Sequence, residues 1–168
     1  MTRDIETGQI VVGLEPGRIR ETFTVAATLA HRLGTGLVCV TVDPSLVSGG
    51  LRADGSEMID PVDPDAADTR PRTLDEKDAV DIRAIAAQHD VAVEIVSAVG
   101  DPARALARVA EEHGALMIVV GARAGTHRVA EFFTGSVAAR LTHQQHRPVL
   151  VVPVEPVGFD NPLPWTAS

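Results

Sequence analysis

The chain has 168 residues, and 45% of them are hydrophobic, which is enough to fill the core of one domain. Its formal net charge of -8 disfavours nucleic acid as a partner, because like charges repel. Cys39 is the only cysteine, so an internal disulfide is excluded, and no apolar run approaches the length of a membrane span. Since the first residues lack the pattern of a secretion signal, we expect one soluble, cytoplasmic domain over residues 1–155 and a proline-rich tail over residues 156–168.

Short β-branched runs alternate with segments of helical periodicity in the first part of the chain. The pattern predicts a strand over residues 9–13, a helix over 18–33 and a second strand over 37–42. Glycines, prolines and aspartates dominate residues 48–72, where no apolar period survives, so we predict a flexible loop there. Helical spacing resumes over residues 74–89.

The same alternation continues to residue 153. A third strand is predicted over residues 91–99, and Gly100-Asp101-Pro102 then starts a helix that runs to about residue 113. A strand over 116–120, a helix over 135–146 and a last strand over 149–152 follow. Right-handed parallel crossovers join such elements. We therefore predict an α/β fold, a three-layer α/β/α sandwich with a five-stranded parallel sheet of the Rossmann-like kind.

The segment between the fourth strand and the fourth helix has the clearest binding pattern. Gly121 and Gly125 follow the strand, nine residues come next, and Gly135 and Ser136 then open the helix. Glycines let backbone amides approach a ligand, and the first free amides of a helix, near Ser136 and Val137, favour an anion. The pattern predicts a phosphate site. The alternative is that the glycines only turn the chain and the serine only caps the helix.

Side chains of this segment offer further groups. Arg123 and Arg128 could add charge-assisted bonds to phosphates, and the hydroxyls of Thr134 and Ser136 could donate or accept at close range. His127 is the only candidate base, and by orienting a water molecule it would give slow hydrolysis. No orienting partner for this histidine is recognised, so we expect binding rather than catalysis.

On these residues, the chain resembles the universal stress protein family over residues 9–153. The family motif is glycine, two residues, glycine, nine residues, glycine and then serine or threonine, and here Gly121, Gly125, Gly135 and Ser136 correspond to it. The stretches Val-Gly-Asp-Pro-Ala at 99–103, Ile-Val-Val-Gly at 118–121 and Pro-Val-Leu-Val-Val-Pro at 148–153 support the resemblance.

The resemblance implies a homodimer through the last strand, Val149 to Val152, and ATP held between the first and fourth strands. It implies that magnesium accompanies ATP and that AMP or cyclic AMP are other possible ligands. The protein would be a nucleotide-responsive regulator in the stress response, recognised by a protein partner not identified by the sequence. The residues that it places at the nucleotide are Gly13, Leu14, Glu15, Val42, Val120, Gly121, Arg123, Gly125, Gly135, Ser136 and Val137.

Two departures from the family pattern leave alternatives open. Ala124 occupies the second glycine position, so that one residue is effectively inserted before Gly125, and its methyl group could cost about 1 kcal/mol of strain. Glu15 stands where the family often has aspartate, and it either accepts a ribose hydroxyl or is simply solvated. A dimeric scaffold that no longer binds nucleotide is the second hypothesis, and a weak ATP hydrolase is the third.

Six histidines raise the question of a metal site. His143 and His146 lie three residues apart on one predicted helix and can face a common point. Neither a carboxylate nor a cysteine completes a ligand set, and the helix dipole alone favours a histidine near a helix carboxyl end. We predict no metal site made of protein ligands.

Overall fold

The computed structural model describes residues 8–54, 57–63, 65, 70–71, 73–123 and 137–154. Strands and helices alternate through most of this part of the chain, and one pair of consecutive strands interrupts the alternation. In chain order the elements are β1 Ile10–Gly13, α1 Arg20–Leu33, β2 Leu37–Asp43, β3 Leu46–Leu51, β4 Glu57–Pro61, α2 Glu76–His89, β5 Val93–Val99, α3 Pro102–Glu112, β6 Met117–Arg123, α4 Val137–Gln144 and β7 Val149–Val154.

Five of the strands form one parallel sheet in the order β5-β2-β1-β6-β7. Helices α1 and α2 pack on one face of this sheet, and α3 and α4 pack on the other. The predicted α/β fold with a five-stranded parallel sheet is confirmed. Within the described residues, no helix has the length and apolar content needed to cross a bilayer.

The core consists of two apolar layers, one on each face of the sheet. Ile10, Val12 and Phe23 belong to the layer under α1 and α2, whereas Val11 and Leu106 belong to the layer under α3 and α4. Because both faces of the central strands are covered, these strands need apolar residues at every position, which explains their continuous apolar runs. Burial also raises the pKa of the Cys39 thiol, on β2, to about 12.

Aspartates close the amino ends of two helices. The Asp101 carboxylate accepts the amide hydrogen of Arg104 at 3.0 Å, with Pro102 as the first residue of α3, so the predicted start of this helix is confirmed. Asp75 accepts from the amide of Asp78 at 2.7 Å at the start of α2. These bonds satisfy amides that have no partner within the helix.

Strands β3 and β4 form an antiparallel hairpin that the sequence pattern did not reveal. The predicted loop over residues 48–72 is therefore wrong for the residues of these two strands. The register shifts between Ser48 and Gly50, leaving Gly49 as an extra residue in β3. This bulge breaks the period of two by which a strand is recognised in a sequence, and the neighbouring glycines add no side chain to restore it.

Candidate functional site

The strand order reverses between β1 and β6. From β1 the chain proceeds outward through β2 and β5 on one side, whereas β6 and β7 lie on the other side. The register places Gly13 of β1 beside Val120 of β6, so both strands end at the same edge. In doubly wound sheets, ligands bind outside the carboxyl ends of the strands at this reversal. The crevice between the ends of β1 and β6 is therefore the candidate site.

The end of β1 combines close packing with an exposed acidic residue. A Cβ atom at Gly13 would lie only 3.0 Å from Leu106 Cδ1, so glycine lets β1 and α3 approach closely. Leu14 is buried under α1, and its amide donates to the carbonyl oxygen of Val40 at 2.9 Å. Glu15 is exposed, and its carbonyl oxygen accepts the amide hydrogen of Arg18 at 3.0 Å. Of these residues, Glu15 presents its side chain to solvent.

The structure brings three predicted site residues to one face of the sheet. Gly13, Val42 and Val120 all lie on the face that α3 and α4 cover, in the carboxyl halves of three adjacent strands. Val120 is buried and Val42 is half-buried. We call these three residues the apolar floor, since an adenine ring packs on residues of this polarity.

Gly121 lies on the opposite face and has a packing role there. A Cβ atom at this position would lie 2.7 Å from Thr22 Oγ1 and 3.1 Å from Val154 Cγ2. Gly121 is also part of β6, which continues to Arg123 because β7 pairs with it as far as Val154. The prediction that β6 ends at residue 120 and a glycine loop starts at 121 is therefore wrong for residues 121–123.

Sequence analysis missed an ion pair at the same edge. Arg140, in the first turns of α4, donates from Nη1 to Oδ2 of Asp101, the residue that caps α3. The sequence contained a sign of this pair, because the helix dipole destabilises an arginine near a helix amino end. A nearby carboxylate offsets that effect. The pair ties the beginnings of α3 and α4 to each other.

A second missed residue is Asp43 at the end of β2. It is buried, and its Oδ1 accepts hydrogen bonds from the amide of Ser45 at 3.0 Å and from its hydroxyl at 2.6 Å. Its carbonyl oxygen accepts the amide hydrogen of Gly100 at 3.0 Å. The Asp-Pro-Ser sequence is typical of such a turn and could have indicated it. These bonds fix the direction in which the chain leaves β2 for the hairpin.

The rest of the predicted site is described only in part. Val137 is the first residue of α4, and the backbone of Arg123 ends β6. Gly125, Gly135 and Ser136 lie outside the described residues, as do Ala124, His127, Arg128 and Thr134.

Pockets open elsewhere on the described surface, and the two described next are not lined by any residue predicted to bind nucleotide. One, of about 240 Å³, lies between the amino ends of α1 and α2 and is lined by residues that include Arg20 and Lys77. The other, of about 530 Å³, lies near Gly34 at the amino edge of the sheet. Among the described residues, no three His, Cys, Asp or Glu side chains come together to hold a metal ion.

The sheet order, the two helical layers and the crevice at the reversal define a doubly wound α/β protein with its ligand edge at the carboxyl ends of the strands. A model of the universal stress protein family matches residues 8–153, which is most of the chain. The chain therefore belongs to the universal stress protein family.

Solved structures of this family share the fold at low sequence identity. The universal stress protein from Archaeoglobus fulgidus in complex with dAMP is 17% identical, with a TM-score of 0.52, over 86% of this chain and 97% of that one. A universal stress protein in complex with cAMP is 19% identical, with a TM-score of 0.55, over 88% and 98%. A family member from Burkholderia pseudomallei is 23% identical, with a TM-score of 0.53, over 89% and 98%. No curated protein sequence matches the chain significantly.

Proposed function

We propose that this chain is a homodimeric regulatory protein of the cytoplasm that binds ATP in the stress response. ATP would lie in the crevice between β1 and β6, with its adenine ring on the floor formed by Gly13, Val42 and Val120. Its phosphates would reach the amino end of α4, where backbone amides and the helix dipole favour an anion. Magnesium would accompany the triphosphate and offset part of its charge, and AMP or cyclic AMP would compete for the same crevice.

The reversal of strand order beside an apolar floor is the observation that carries this proposal. Gly13 and Val120 are in register on adjacent strands, and Val42 lies two residues beyond Val40, the partner of Gly13 on β2. An adenine ring prefers apolar surroundings of this kind. The amino end of α3 is already occupied by the Asp101 carboxylate. We therefore assign the phosphates to the amino end of α4, on the same face of the sheet.

The related structures support an adenine ligand. One is in complex with dAMP and another with cAMP, and both share this fold. Both ligands contain adenine, a ribose-type sugar and phosphate, which are the chemical groups that the crevice and the start of α4 would bind.

The outer edge of β7 supports the dimer. β7 pairs with β6 on one side, and no strand of the described part of the chain pairs with its other side. Val151, in the middle of this strand, is 43% exposed. Pairing of two β7 strands across a two-fold axis would cover both edges and join the sheets.

A dimeric scaffold without nucleotide is the second candidate, and one observation favours it. Gly121, a residue of the glycine motif, packs against Thr22, so its lack of a side chain is explained without a ligand. The two functions share the fold and the dimer, and they differ in whether ATP binds.

Titration with labelled ATP tests the proposal, with two arginine variants as a matched pair. Arg123→Ala removes a predicted phosphate ligand at the end of β6, whereas Arg83→Ala removes a 68% exposed side chain on α2. We expect Arg123→Ala to weaken ATP binding about tenfold, because a hydrogen bond to a charged group contributes about 1.5 kcal/mol. Arg83→Ala should leave the affinity unchanged, and adenosine should bind both variants equally.

Sedimentation equilibrium of the same samples should give the mass of two chains. Equal ATP affinity in the two variants would remove Arg123 from the site. Absence of saturable binding to the wild-type protein would overturn the nucleotide proposal and leave the scaffold as the function.

A further inference from the structure

The β3–β4 hairpin presents an apolar face to solvent. Val47 and Met58 are 40% and 36% exposed, and Val62, just after β4, is 59% exposed. Val47 lies opposite Asp60, and Met58 and Val62 are two residues before and after Asp60, so all four side chains share one face. We call this the outer face of the hairpin. The inner face carries Leu46, which is only 1% exposed.

The outer face carries an acidic residue, Asp60, at its centre. Along β4 the outer face reads Met58, Asp60, Val62, an acidic residue between two apolar ones. Residues 46–65 contain five acidic residues and one basic residue, a net charge of about -4 in this segment. A ligand that covers the apolar side chains therefore needs positive charge to avoid burying Asp60 without a partner.

The outer edge of β4 is able to accept another strand. β3 is the strand of the hairpin that approaches β5 of the main sheet, so β4 lies on the outside. The amide of Val62 donates to the carbonyl oxygen of Ser45 at 2.8 Å, toward β3. Since inward and outward groups alternate in an antiparallel ladder, the amide of Ile59, three residues earlier, points to the outer edge. Pro61 occupies an outward position too, where its missing N–H costs no bond to β3.

A two-stranded hairpin that buries so little is marginal without a third strand or a covering element. We propose that the hairpin binds an extended, basic segment of a partner protein, which adds as a third strand along β4. The side chains of that segment that face the hairpin would read apolar, Lys or Arg, apolar, with a spacing of two residues. The cation would lie opposite Asp60, and the apolar residues would cover Met58 and Val62.

A second copy of the chain is a poorer occupant of this edge. Two such hairpins side by side would bring two net charges of about -4 together, and like charges on neighbouring strands are destabilising. A basic partner instead gains from the same charges during both approach and binding. The proposal does not depend on whether the crevice between β1 and β6 binds nucleotide.

The probe is the acetylated and amidated peptide Thr-Val-Thr-Lys-Thr-Val-Thr, which has Val, Lys and Val on one face. It is titrated into the full-length, isotope-labelled protein, and backbone amide shifts are followed by NMR. We expect saturable shifts of the amides of Met58, Ile59, Asp60 and Val62 and of neighbouring β3 residues, and no binding of the same peptide with glutamate in place of lysine. Asp60→Asn should weaken binding about two- to fivefold, as expected for loss of one cross-strand ion pair, and Met58→Thr should weaken it comparably.

Two control variants separate strand addition from general attraction. Glu76→Gln changes the net charge as Asp60→Asn does, and Val80→Thr removes an exposed apolar side chain as Met58→Thr does, but both lie on α2. Neither should alter peptide binding. Equal weakening by Glu76→Gln, binding of the glutamate peptide, or shifts that avoid β4 would overturn the proposal. A self-association that Met58→Thr abolishes would also overturn it, since the occupant would then be a second copy.

Discussion

Replacing Gly121 with alanine tests whether this motif glycine serves packing. The added Cβ would meet Thr22 Oγ1 at 2.7 Å and Val154 Cγ2 at 3.1 Å, both shorter than the 3.5–4.0 Å at which atoms attract best. Gly121 itself is exposed, but Thr22 and Val154 are buried, and crowding of buried side chains costs about 1–3 kcal/mol. Loss of glycine freedom in the unfolded chain returns about 0.4–1 kcal/mol. We therefore expect Gly121→Ala to lower the free energy of unfolding by about 1–2 kcal/mol.

The contact with Thr22 makes this prediction specific. Thr22→Ala alone removes a buried side chain and should be destabilising, since Thr22 is 3% exposed. In the double variant Thr22→Ala/Gly121→Ala, however, the closest obstacle to the new methyl group is absent. The cost of Gly121→Ala should then fall by about 1 kcal/mol, which is a coupling energy typical of residues in contact.

Urea denaturation followed by far-UV circular dichroism gives the four free energies of this cycle. Strict additivity, within about 0.5 kcal/mol, would refute the packing explanation. ATP titration of the same proteins adds a second readout. If Gly121→Ala weakens ATP binding equally in the wild-type and in the Thr22→Ala background, Gly121 also serves the ligand.

Two further predictions concern titratable groups. Burial raises the pKa of Cys39 to about 12, so its thiol should not react with a disulfide reagent at pH 8 in the folded protein. It should react fully in urea. Rapid labelling of the native protein would contradict the burial of this thiol. The hydrogen bond from Arg147, and then its charge, hold the pKa of Glu111 below the usual value of a glutamate. The contribution of Glu111 to stability is therefore fully present above the usual pKa and is lost as the pH falls through the lowered pKa. The urea midpoint of unfolding should therefore decrease less on acidification in Glu111→Gln than in the wild-type protein. An equal decrease in both proteins would show that the Glu111–Arg147 pair does not contribute to stability.

The main sheet was predictable because its signals are local. Ile10 to Val12 and Leu37 to Val40 are apolar at every position, as strands covered on both faces require, and Asp101-Pro102 marks a helix start within two residues. The hairpin was not predictable in the same way, since the bulge at Gly49 removes the only period that a short strand offers.

The candidate site was predictable in composition more than in geometry. Gly13, Val42 and Val120 were identified, and the structure brings them to one face of the sheet. The neighbours of Gly121 lie on α1 and β7, which no local pattern connects to a glycine on β6. Asp101 and Arg140 are 39 residues apart, so their pairing follows from the packing of α3 on α4.

Asp101 has two partners at once, the amide of Arg104 in its own helix and the guanidinium of Arg140 in another. A single carboxylate therefore links the first turns of two helices. Oδ1 caps α3 and Oδ2 accepts from Arg140, so each oxygen of the carboxylate serves one helix. The two helices that cover one face of the sheet are thus held together at their amino ends by one side chain.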